Sequence, residues 1–160
     1  MDFDERIKKA IDRGQRTRDA KEDQAAAEAM SEEECKRLHS SLRLNLTDHV
    51  ESCLRKLADH FPGFRFETVV DEHGWGARVT RDDLQLDAGR RTTFFSRLEL
   101  VIAPFNKYHV LELVSKGTVR NKEIFNRSHY QLLNEADPES FTEMSDLWVL
   151  EYAELYAAQS

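Results

Sequence analysis

The sequence predicts an α+β domain: an N-terminal helical arm and a long amphipathic helix, an antiparallel meander sheet of about five strands, and a C-terminal helix packed on that sheet. Three observations predict it. Through much of residues 64–130 apolar and polar residues alternate, the period of strands with one committed inner face. Before that block, Cys35, Leu38, Leu42, Leu46, Val50, Cys53, Leu57 and Phe61 recur at intervals of three and four, the period of one helix face. After it, Asp137 and Pro138 offer an N-cap and a first-turn proline ahead of Phe141, Met144, Leu147, Trp148, Leu150, Tyr152, Leu155 and Tyr156.

Residues 1–30 read as a charged, Ala-rich arm, and residues 31–160 as a single α+β domain. Phe3, Ile7 and Ile11 are spaced along one helix face, but Gly14 to Glu28 holds no large apolar residue. Alanine and alternating charges favour helix without supplying anything to bury. The arm is therefore expected as a solvated helix, a docking segment, or a segment disordered when alone. Ser31 and Glu34 have the spacing of a capping box, and Pro62 with Gly63 ends the helix that follows.

The strands follow in order. Phe64, Phe66 and Val70 alternate with Arg65 and Glu67; Asp71 to Gly74 turns the chain; Trp75, Ala77 and Val79 alternate with Gly76, Arg78 and Thr80. Gly74 and Gly76 around Trp75 suit a close backbone approach, to a ligand or within the packing. Asp82 to Asp87 extends this strand, and Asp87 to Arg90 reverses it. In the next strand Phe94, Leu98, Leu100 and Ile102 share one face, and Phe95, Arg97, Glu99 and Val101 the other. Pro104 to Lys107 forms a turn, Tyr108 to Ser115 another strand, Lys116 and Gly117 a reversal, and Thr118 to Phe125 a final, more polar strand.

Charge is unevenly spread. The net charge is −7, yet no Lys or Arg occurs from Gln131 to Ser160, while the strand block concentrates Arg and Lys. An acidic protein with a local basic patch can still steer an anionic partner to that patch. With 33% charged residues, no apolar run near the ~18 residues of a membrane helix, and no signal-peptide core in MDFDERIKKA, the chain is expected in the cytoplasm and off the membrane. Two cysteines fit a reducing compartment, and at ~1.5 Å per helical residue Cys35 and Cys53 stand about 27 Å apart, too far to bridge.

Enzyme signatures are absent: there is no GxSxG, HExxH, P-loop, GxGxxG or CxxC, and no cofactor is expected. Cys35 with His39, and His49 with Cys53, are spaced four apart as metal ligands often are, but they share an arc with the apolar face, and burial accounts for them without metal. Arg91, Arg97, Arg120, Lys122, Arg127, His129 and Tyr130 form a candidate anion- or ligand-binding set, although edge strands commonly carry such cations simply to discourage aggregation. Phe95, Val101, Tyr108, Val110 and Val114 form a second apolar sheet face, covered by the other helix in a three-layer domain, by a second subunit or by a protein partner. The leading expectation is a non-catalytic cytoplasmic protein–protein interaction module, adaptor- or chaperone-like and self-associating. The alternative is a small-ligand or nucleic-acid binder using the basic side of the sheet, and an enzyme without a recognisable motif is third.

Overall fold

The computed structural model describes residues 2–159, apart from the side chains of residues 26–31. It is α+β: helix α1 (Phe3–His60), strands β1 (Arg65–Asp71), β2 (Gly74–Asp87), β3 (Arg90–Ile102), β4 (Val110–Val119) and β5 (Lys122–Leu132), one 3-10 turn (Leu133–Glu135), and helix α2 (Pro138–Gln159). The five strands form one antiparallel sheet in sequence order, a simple meander.

Two compact units divide the chain, Met1–Arg37 and Leu38–Ser160. The first is helical, and its residues 2–25 are all exposed, including Phe3, Ile7 and Ile11. A helix of this composition has no large apolar residue between Gly14 and Glu28 to bury. Helix α1 runs unbroken through Ser31, so no helix begins there and the Ser31–Glu34 spacing does not serve as a capping box, because an N-cap residue lies outside the helical backbone.

In the second unit the inner sheet face carries Ala77, Val79, Leu98, Leu100, Ile102, Leu111 and Leu113, all buried. The later part of α1 lies on this face through Leu46, Val50, Leu54 and Leu57, with the Arg43 guanidinium over the Trp75 ring at 4.2 Å and that of Arg55 over Phe66 at 4.0 Å. Helix α2 lies on the same face, where Tyr152 meets Phe125 and Phe141 meets His129. The domain therefore has two layers, and the three-layer arrangement is not formed.

On the outer face, register aligns Glu67, Arg78, Glu99 and Lys116 across four strands, with Arg78 Nε 3.2 Å from Glu67 and 3.7 Å from Glu99. Opposite charges directly across a ladder stabilise it. Gly74 and Gly76 serve the packing of β2 on β3. A Cβ at Gly74 would stand 2.1 Å from the Ile102 carbonyl oxygen, and one at Gly76 2.0 Å from that of Leu100.

One hairpin departs from the sequence reading. The reversal between β4 and β5 falls at Arg120 and Asn121, both at positive φ (48° and 70°), not at Lys116 and Gly117. Two consecutive left-handed residues make the tight turn whose twist matches antiparallel strands. The Asn121 amide also ties this turn to the β3 edge: Oδ1 accepts the Phe95 N–H at 2.7 Å and Nδ2 donates to the Thr93 carbonyl at 3.0 Å. Gly117 instead sits in β4 at a register shift, where a side chain would press on the Phe125 ring at 3.0 Å. At its other end β4 begins only at Val110, because Tyr108 lies in a turn in which its N–H donates to Asn106 Oδ1 at 2.9 Å and His109 takes positive φ, and β5 runs on to Leu132.

Candidate functional site

Helix α2 starts at Pro138, with Asp137 Oδ1 accepting the Glu139 N–H at 3.1 Å, as an N-cap before a first-turn proline requires. Its buried residues Phe141, Ser145, Trp148, Val149, Tyr152 and Tyr156 keep a spacing of mostly three and four and pin one side of the helix to the sheet. Beside it, α1 is pinned through Leu46, Val50, Leu54 and Leu57. Between the two helices runs a groove of about 680 Å³, apolar along Leu57, Phe61, Val149, Leu150 and Ala153.

One end of this groove holds three chemically distinct ligand groups. His49 Nε2 lies 2.8 Å from Asp146 Oδ1, the Cys53 thiol donates to the same oxygen at 3.2 Å, and Cys53 Sγ is 3.5 Å from His49 Nε2. Burial first, then the hydrogen bond and charge of Asp146, push the Cys53 thiol up to about 12. It is a thiol at neutral pH and therefore a poor nucleophile. Nor is the triad a relay. In a Cys–His–acid relay the thiol and the acid engage opposite ring nitrogens, whereas here both approach Nε2.

Sequence spacing pairs His49 with Cys53, and the structure adds Asp146, 97 residues from His49. Its only sequence signal is an acidic residue one turn from the apolar face of α2. Among the described residues, His49, Cys53 and Asp146 form the group of His, Cys and carboxylate side chains close enough to share an ion. His39 is elsewhere: it is buried, bonds the Ala103 carbonyl at 3.1 Å through Nε2, and meets the Phe105 ring edge-on. Cys35 is a half-buried free thiol.

Burial holds the His39 pKa below its ordinary 6.5, with Arg43 adding to the effect and the Ala103 bond opposing it. The sign follows from linkage. Above pH ~6.5 the ring is neutral in both folded and unfolded chains; below it the unfolded chain takes the proton first, so stability falls as pH falls. The denaturant midpoint is expected to drop between about pH 7 and pH 5, the window just below the unfolded-state value. In a His39→Gln variant the decline should be shallower, by at most ~1.4 kcal/mol per pH unit, the slope of one proton. Equal slopes in the two proteins would refute the assignment.

The anion-binding candidates are dispersed. Arg91, Arg97 and Tyr130 are on the outer face; Arg97 leans toward Phe95 and Tyr130 is exposed. Arg120 stands at the β4–β5 turn, over the Phe94 ring and bonded to Gln85, and exposed Lys122 follows it. Arg127 forms a two-pronged pair with Glu151 of α2, one prong at 2.9 Å, and half-buried His129 is 3.3 Å from the Ser140 hydroxyl. Of the candidate interaction face, Val101 is buried, Phe95, Val110 and Val114 are half-buried, and Tyr108 is exposed in its turn.

An exposed apolar pair also lies on the outward side of α2. Leu147 and Leu150 are 60% and 65% exposed; both line a second groove of about 480 Å³ bounded by Arg127, Met144 and Trp148, and Leu150 also lines the α1–α2 groove. At ~100° per residue they share an arc of about 100° with Glu143, Asp146 and Glu154. No family model, curated protein or solved structure matches the chain.

Proposed function

We propose that this protein is a non-catalytic cytoplasmic interaction module that self-associates, with the outward side of α2 as its docking surface. The observation that carries this reading is the exposed Leu147 and Leu150 pair beside a groove, with Leu150 reaching a second, on a helix with acidic residues and no Lys or Arg. Such a surface calls for an amphipathic helix with an apolar stripe and basic flanks. The chain contains one. In residues 3–16, Phe3, Ile7 and Ile11 span about 80° of helix circumference and Arg6, Lys9, Arg13 and Arg16 another 80° or so. The occupant is this segment of a second copy.

Magnitudes favour a closed pair over a single contact. Burying five such side chains at ~1.5 kcal/mol each yields about 7 kcal/mol, and two reciprocal contacts about 15. Association costs roughly 4–15 kcal/mol before any affinity appears. A two-fold pair, in which each copy supplies and receives a helix, is therefore the form expected to persist. In support of the cellular placement, both cysteines are free thiols, and no described helix is long and apolar enough to cross a membrane.

Light scattering on the 160-residue chain tests this. The wild type is expected to be a dimer, weakened by salt because part of the attraction is between exposed charges. Ile7→Glu with Ile11→Glu, and separately Leu147→Lys with Leu150→Lys, should each give monomers with unchanged circular dichroism. A wild-type monomer, or a dimer that survives both pairs of substitutions, overturns the reading.

A further inference from the structure

We propose that His49, Cys53 and Asp146 bind one divalent metal ion of the zinc class at the end of the α1–α2 groove. The donor set is the first argument. A thiolate sulfur, an imidazole nitrogen and a carboxylate oxygen are the ligand types zinc takes, and the sulfur disfavours magnesium and calcium, which prefer all-oxygen shells.

Geometry is the second. With bonds of ~2.3 Å to sulfur and ~2.0 Å to nitrogen and oxygen, three ligands on one face of a tetrahedron stand about 3.3–3.6 Å apart. The measured separations are 2.8 Å for His49 Nε2 to Asp146 Oδ1, 3.2 Å for Cys53 Sγ to the same oxygen, and 3.5 Å for Cys53 Sγ to His49 Nε2. An ion therefore needs the carboxylate to withdraw by about half an ångström, within the reach of side-chain torsions and with no rebuilding of either helix.

Placement is the third. His49 and Cys53 are one turn apart on α1, so both project from one side of it, and Asp146 faces them from α2. All three line the open groove, which gives the ion a route in and leaves its fourth position facing solvent. Three protein ligands with an open fourth position bind water or an exogenous donor there. On binding, the Cys53 sulfur exchanges its proton for the metal and the proton leaves to solvent. To ligate through Nε2, His49 gives up the proton that this nitrogen directs at Asp146; that proton passes to Nδ1 or to solvent, and Asp146 Oδ1 exchanges its hydrogen-bond donors for the ion.

Cobalt titration of the 160-residue chain tests the site. One equivalent of Co²⁺ is expected to give the ligand-field absorption of a tetrahedral ion with a sulfur-to-metal charge-transfer band; Zn²⁺ should abolish both and raise the melting temperature. Cys53→Ser should remove the charge-transfer band. His49→Gln and Asp146→Asn should each weaken binding by more than ~10-fold, since losing even an outer partner of a ligand typically costs that much. Cys35→Ser should change nothing. Absence of the bands at equimolar Co²⁺, their survival in Cys53→Ser, or their loss in Cys35→Ser would each overturn the proposal.

Discussion

Gly76→Ala is expected to destabilise the fold by more than ~4 kcal/mol, at the upper extreme of single substitutions. The methyl carbon would lie 2.0 Å from the Leu100 carbonyl oxygen and 2.8 Å from the Val101 Cα, and both are backbone atoms. No rotamer change relieves a clash with backbone, so β2 and β3 would have to separate. They pair along Trp75–Asp87 against Arg90–Ile102, the longest ladder in the sheet, and Leu98, Leu100 and Ile102 beneath it are fully buried. Total stability of a domain this size is of order 5–15 kcal/mol, so the variant should melt far below wild type or fail to fold. Gly14→Ala is the control: nothing lies within 4 Å of the added carbon, and a helical alanine should be neutral or stabilising by up to ~1 kcal/mol. Chemical denaturation of the three proteins measures both. A Gly76→Ala protein within about 1 kcal/mol of wild type, the size of an ordinary substitution, would show that the two strands do not approach so closely.

Tyr152→Ala is expected to cost about 3–5 kcal/mol, the range for emptying a buried aromatic site. Tyr152 is fully buried where α2 crosses the sheet, in edge contact with Phe64 and Phe125 and stacked on Tyr156 at 6.2 Å between centroids. Its hydroxyl donates to the Thr118 carbonyl at 2.8 Å, next to the register shift at Gly117. Tyr152→Phe separates the two contributions. It keeps the ring, removes the hydroxyl and leaves the Thr118 carbonyl short of a partner, for which ~1–2 kcal/mol is expected. Burial pushes the phenol pKa well above its ordinary 10, so the hydroxyl stays a donor across the whole range in which the protein would be studied. Equal losses for the two variants would mean that the hydrogen bond, and not ring packing, fixes α2 on the sheet.

These two residues mark how far the sequence could be read. Around Gly76, alternation was enough to assign strand and face: Trp75, Ala77 and Val79 point inward, as their period of two requires, because side-chain direction in a strand is a local property. The closeness of β2 to β3 was not legible, since it depends on two backbones brought together by the fold. At Gly117 the same limit produced a displaced turn. Glycine and lysine resemble a reversal locally, but Asn121 gains three hydrogen bonds to β3 by turning four residues later, and Phe125 needs the space over Gly117.

The candidate site divides in the same way. One helix turn links His49 to Cys53, so that pair was visible in the spacing. Asp146 was not, because nothing local to α2 distinguishes it from Glu143 or Glu154. The sequence alone determined the order of elements, the inner face of the sheet and the acidic character of α2, all of which follow from periodicity and charge along the chain. Only the tertiary structure decided that both helices share one sheet face, since either face satisfies the period of an amphipathic helix. That choice sets α1 beside α2, opens the groove between them, leaves Leu147 and Leu150 in solvent, and brings a histidine, a cysteine and an aspartate within bonding reach of a single ion.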